Sequence, residues 1–82
     1  MSRITDNITS LHLLRPGLPA RVSAVSSDNL FAQRLMEMGL IVGSEVEVIK
    51  GAPFGGPIEV RVRGYHLALR RNEAEAVEVV VD

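Results

Sequence analysis

Beyond Gly43 the apolar and polar positions of the chain take up a period of two. Residues 45–50 (EVEVIK), 58–62 (IEVRV) and 65–69 (YHLAL) alternate, and a Val-rich stretch, 77–81 (VEVVV), follows them. Such runs predict strands with one buried and one wet face. Residues 20–25 (ARVSAV) alternate well enough for a first strand. Between these segments the rhythm changes. At about 100° per residue, Leu30, Phe31, Leu35 and Met38 fall within one apolar arc, which predicts a helix beginning near Leu30. Ser26-Ser27-Asp28-Asn29 offers several N-caps for it, and Gly39 is placed to end it in the left-handed conformation. Residues 51–57 (GAPFGGP) contain three Gly and two Pro and mark a prominent loop. Residues 1–10 mix Ser, Thr, Asp and Asn with only two Ile and read as a flexible or loosely docked lead-in, leaving 11–82 as the domain.

The alternation also fixes a register. If Arg63-Gly64 forms a tight turn, with Gly64 supplying a positive φ, then Val62 faces Tyr65, Val60 faces Leu67 and Ile58 faces Leu69. Arg61 then meets His66 and Glu59 meets Ala68, so one face is apolar and the other largely polar. A slip of one residue would scramble both faces. Connections this short cannot hold crossover helices, which need about a dozen residues, so the sheet must be antiparallel. The expected fold is mainly β: a small antiparallel barrel of about five strands with one short helix, closed so that no strand edge is exposed.

Composition narrows the class. A chain of 82 residues is one domain, and without Cys it has neither disulfides nor thiolate ligands. Nine Lys and Arg stand against ten Asp and Glu, which lacks the basic excess that meets phosphates and argues against nucleic acid as a partner. The first residues hold no apolar run of signal-peptide or membrane-span length, so the expected location is the cytosol.

An ordered set of pieces resembles the FeoA family. These are Leu11-x-x-Leu14-x-Pro16-Gly17, the helix Arg34-Leu35-Met36-Glu37-Met38-Gly39-Leu40, and Gly43 before a strand. Pro53-x-x-Gly56-Pro57-Ile58, Leu67-Ala68-Leu69-Arg70, Ala74 and a Val-rich end follow. The match spans about residues 11–81. It departs from the family at Val42, where Pro often stands, and at Gly55-Gly56, where Asp often precedes the loop Pro. The resemblance implies an SH3-like barrel without enzymatic activity. It further implies a role in bacterial ferrous-iron uptake, through contact with the cytosolic region of a membrane transporter that carries a GTP-binding domain. The rival reading is a stand-alone regulatory or nucleic-acid-binding small barrel.

The residues themselves present no catalytic constellation. Ser-His-Asp spacing, HExxH and the Lys-Ser/Thr of a phosphate loop are all missing, so no cofactor is expected. His12 and His66 lie far apart with no acid three or four residues away, and no metal site is assigned to them. Binding residues are nominated instead. Phe54 sits at the tip of the loop and Met36 points away from the helix arc, and both are candidate partner anchors. Arg61 and Arg70 share the polar face of the hairpin, with Arg63 and Arg71 beside them. They serve either ordinary surface ion pairs or an acidic protein surface. Arg34 projects from the middle of the helix arc. Its head either snorkels to water or braces the helix to the sheet through a fixed hydrogen bond, and the brace is the reading adopted. An apolar loop tip also permits weak self-association.

Overall fold

The hairpin at Arg63-Gly64 forms with the register that its side chains demand. In the computed structural model, which describes residues 7–26, 29–52 and 54–81, Ile58, Val60 and Val62 oppose Leu69, Leu67 and Tyr65. The chain begins with β1 (Ile8–Ser10) and a 3-10 turn (Leu11–Leu13), followed by β2 (Ala20–Val25) and α1 (Asn29–Glu37). It continues through β3 (Glu45–Lys50), β4 (Ile58–Val62), β5 (Tyr65–Leu69), α2 (Arg71–Glu75) and β6 (Val77–Val81). All strand pairings are antiparallel, in the order β1-β6-β2-β3-β4-β5.

Alternation decides what is buried. Ile58, Val60 and Val62 of β4 lie inside while Glu59 and Arg61 face water, and β3 buries Val46 and Val48 in the same way. These residues join Leu11, Leu35, Leu40 and Leu69 in a single core. Each fully buried Leu or Val contributes on the order of 1.5–3 kcal/mol, which is how so short a chain supports a fold without disulfides. Two irregularities bend the sheet around this core, one between Val22 and Ala24 of β2 and one between Val48 and Lys50 of β3.

The helix turns inward three of the four residues of the expected arc, rotated so that Leu30 falls outside it. Leu35 is fully buried, with Phe31 and Met38 packed partly against the core, while Leu30 is 72% exposed. Positions 31, 35 and 38 share one face at 100° per residue, and Leu30 lies well to the side of it. The helix ends as Gly39 predicts. At φ 100°, Gly39 donates to the Met36 carbonyl (2.9 Å), and Leu40 donates to that of Leu35 (3.1 Å). This pair of bonds is the Schellman motif, and its apolar contact is made by the buried Leu35 and Leu40. The proposed N-cap residues Ser27 and Asp28 lie outside the described residues, as do residues 1–6 and Pro53.

Three features extend the expected architecture. Ile8–Ser10, assigned to the lead-in, form a sixth strand on β6. A second helix, α2, occupies the single turn after β5. The sheet does not close, because β1 and β5 are its two ends and are not paired with each other. On one side the gap is filled by the 3-10 turn and α2, whose Leu11 and Ala74 are both fully buried.

Candidate partner-binding surface

The loop between β3 and β4 turns sharply at Ala52, whose carbonyl accepts a 3.1 Å hydrogen bond from the Gly55 N–H. Gly55, at φ 83°, supplies the left-handed conformation that this turn requires. The consequence is a Phe54 that is 98% exposed. Beneath the loop lies a hollow of only about 100 Å³, bordered by His12, Leu14 and Ile58. Phe54 does not border it and does not fold back as a lid.

Met36 is 52% exposed, as its place on the helix suggested. It does not join Phe54 in one patch. The loop enters β4 at Ile58, whereas Gly39, next to the helix end, lies beside Val62 and Arg63 at the other end of that strand. Five residues of strand separate the two ends by about 17 Å. The nominated anchors therefore belong to different parts of the surface.

The arginines divide into two groups. Arg61 is ion-paired with Glu47, its cross-strand neighbour, and Arg71 with Glu75 at 3.2 Å. Exposed pairs of this kind contribute little to stability but occupy the charge. Arg63 and Arg70 form no ion pair among the described residues. The backbone N–H of Arg70 donates to Glu73 Oε1 at 2.7 Å, so this residue also opens α2.

Arg34 requires a correction. It is exposed, and its guanidinium has no hydrogen-bond partner among the described residues, so the bracing bond is not made. With Leu35 at the centre of the buried face, Arg34 falls at the edge of the arc and borders an open hollow with Arg70 and Glu73.

One cluster was not foreseen. Ser10 Oγ lies 3.0 Å from His12 Nδ1 and 3.3 Å from the carbonyls of Ala74 and Glu75, while His12 Nε2 is 3.9 Å from Glu75 Oε2. The three side chains tie the 3-10 turn to α2 across more than sixty residues of sequence, which no local spacing announces. Among the described residues, no three His, Cys, Asp or Glu are grouped so as to hold a metal ion. No helix among them is long and apolar enough to cross a membrane.

A model of the FeoA domain matches residues 9–81. The chain belongs to the FeoA domain family. A curated relative from Porphyromonas gingivalis, a fusion of Fe(2+) transport protein A with the Fe(2+) transporter FeoB, is 33% identical over 66 residues. That alignment takes in 80% of this chain but 8% of the relative, so the chain spans a small part of the larger protein. The solved FeoA protein from Chlorobium tepidum is 40% identical, covering 89% of this chain and 70% of its own, with a TM-score of 0.80. FeoA of Stenotrophomonas maltophilia, described as an SH3 domain protein and solved in complex with zinc, is 36% identical. It covers 90% of this chain and 89% of its own, with a TM-score of 0.74. The FeoA fold of this chain is thus the SH3-like one, and its family is associated with ferrous-iron transport.

Proposed function

We propose that the protein is a cytoplasmic, non-enzymatic accessory domain of ferrous-iron uptake. It acts by binding the cytosolic region of a membrane iron transporter that carries a GTP-binding domain. The observation that carries this reading is the fusion of a related domain to FeoB in a single chain. A covalent link between two modules raises their effective concentration to the millimolar range, which serves a contact that is weak between separate chains. The surface supports the same reading. Phe54 is held outward on a turned loop and costs the folded state little there, while a partner pocket would gain most of its area.

Titration of the cytosolic GTP-binding region of the cognate transporter with this protein, followed by calorimetry, tests the reading. Saturable binding is expected in at least one of the nucleotide-free, GDP-bound and GTP-bound states. Phe54→Ala is expected to leave the melting temperature almost unchanged and to weaken binding by at least about 1 kcal/mol. Absence of binding in all three states would overturn the proposal.

A further inference from the structure

β5 is an end strand of the sheet, and its outer edge has no partner among the described residues. In a two-residue hairpin the pair flanking the turn is hydrogen-bonded, and bonded and non-bonded pairs then alternate along the ladder. Val62–Tyr65, Val60–Leu67 and Ile58–Leu69 are therefore the pairs that exchange N–H and C=O groups. His66 and Ala68 direct theirs away from β4, and neither bonds to a turn, loop or helix among the described residues. Proteins usually protect such an edge with Lys, Pro, a bulge or extreme shortness. β1, the other end strand, has three residues, but β5 (YHLAL) has five, with no Lys, no Pro and an unbroken register on β4.

A groove runs beside this edge. One hollow, of about 680 Å³, lies between Met38, Gly39 and residues 65–67. A second, of about 420 Å³, is bordered by Phe31, Arg34, Met38, Ala68 and Arg70. Met38 borders both, so together they follow β5 from the turn to its end. Phe31, Met38 and Leu67, each packed partly against the core, give the groove an apolar floor. Arg34, Arg63 and Arg70 stand around it, and none of them forms an ion pair among the described residues. Arg21, Arg61 and Arg71, by contrast, each pair with a Glu. Of the acids that border the groove, Glu37 and Glu73, the second already accepts the Arg70 N–H.

We propose that this edge and groove bind an extended acidic segment of a partner polypeptide, which adds to the sheet as a further strand along β5. Its backbone pairs with His66 and Ala68, its apolar side chains rest on Phe31, Met38 and Leu67, and its carboxylates meet the three arginines. A second copy of the chain is the poorer occupant. Antiparallel pairing of two β5 strands about Leu67, the register that joins His66 to Ala68, brings Arg70 of one copy opposite Gly64 and beside Arg63 of the other, and neither arginine has an ion pair among the described residues. Like charges so placed repel. The proposal does not rest on the iron transporter being the partner, and its test uses a synthetic probe, so the two readings fail separately.

The probe is the capped peptide acetyl-Glu-Val-Glu-Val-Glu-Val-Glu-amide, titrated at neutral pH and low salt into the isotopically labelled protein. Saturable shifts of the His66 and Ala68 amide resonances are expected, with amide exchange there slowed by at least about tenfold. The same peptide with Lys for Glu is expected to give no saturable shift. Ala68→Pro removes an outward N–H that β4 does not use, and is expected to weaken binding about tenfold. Arg34→Glu combined with Arg63→Asn, which keeps a residue tolerant of positive φ in the turn, is expected to weaken binding at least about fivefold without lowering the melting temperature. Unshifted His66 and Ala68 amides, or equal binding of the Lys peptide, would overturn the proposal. So would concentration-dependent shifts of these amides without peptide, accompanied by a dimer mass in sedimentation, which would give the edge to a second copy.

Discussion

Arg63 occupies a backbone conformation that its side chain disfavours. A type I′ hairpin turn needs left-handed residues at both central positions, and Arg63 and Gly64 supply them at φ 52° and 84°. Glycine bears no penalty there, whereas a residue with a Cβ bears about 1 kcal/mol. Asn reaches this region more easily. Arg63→Asn is therefore expected to raise stability by about 0.5–1 kcal/mol, seen as a higher urea midpoint with an unchanged slope. A lower midpoint would mean that the Arg63 stem, whose Cδ lies near Gly39, packs more usefully than the turn strain costs. Sequence made the turn legible, because Gly64 stands between two alternating runs. It also made Phe54 legible as a loop tip. It could not reveal the fate of Arg34, since a guanidinium brace requires a particular carbonyl or carboxylate in reach, and reach is set by the packing of the helix.

Among elements, the β4–β5 hairpin was fully legible because two independent signals agree there: the period of two, and a turn too short to permit another register. The end of α1 was legible for a similar reason, with Gly39 followed by an apolar Leu40 that caps back onto Leu35. Gly39→Ala tests this. A Cβ at position 39 would meet Arg63 and Val62 at 3.8 Å, which is ordinary contact, so the positive φ alone sets the cost. A loss of about 1 kcal/mol is expected in chemical denaturation. A loss above about 2 kcal/mol would mean that the hairpin crowds the helix end more tightly than these distances allow. The face of α1 was read too wide by one residue, because Leu30 is as apolar as Phe31 and only packing leaves it outside. No pattern could announce α2, where five residues bury one small side chain, Ala74, and the first turn is held by a bond from the Arg70 N–H to Glu73.

At the scale of the whole molecule, the alternation implied a sheet that hides its edges by closing, and the chain manages them differently. One end is reduced to three residues in β1, the gap is filled by the 3-10 turn and α2, and β5 is left open. The pairing of β1 with β6 joins residues some seventy positions apart and has no local signature, which is why Ile8–Ser10 read as part of a lead-in. Removing residues 1–10 tests whether β1 belongs to the cooperative unit. The deletion takes away the pairing of Ile8, Thr9 and Ser10 with β6, and the Ser10 hydroxyl bonds to the Ala74 and Glu75 carbonyls. At a net value of about 1 kcal/mol for a typical hydrogen bond, a loss of about 2 kcal/mol is expected, with unfolding still a single transition because the core is single. A second consequence distinguishes β1 as a cover from β1 as ordinary packing. Without it, β6 (VEVVV) becomes an end strand rich in β-branched residues and low in charge, the composition that pairs edge to edge between chains. The truncated protein should therefore associate with rising concentration in sedimentation while the full chain does not. An unchanged urea midpoint and a monomeric truncated form would show that β1 rests on the sheet without sealing it.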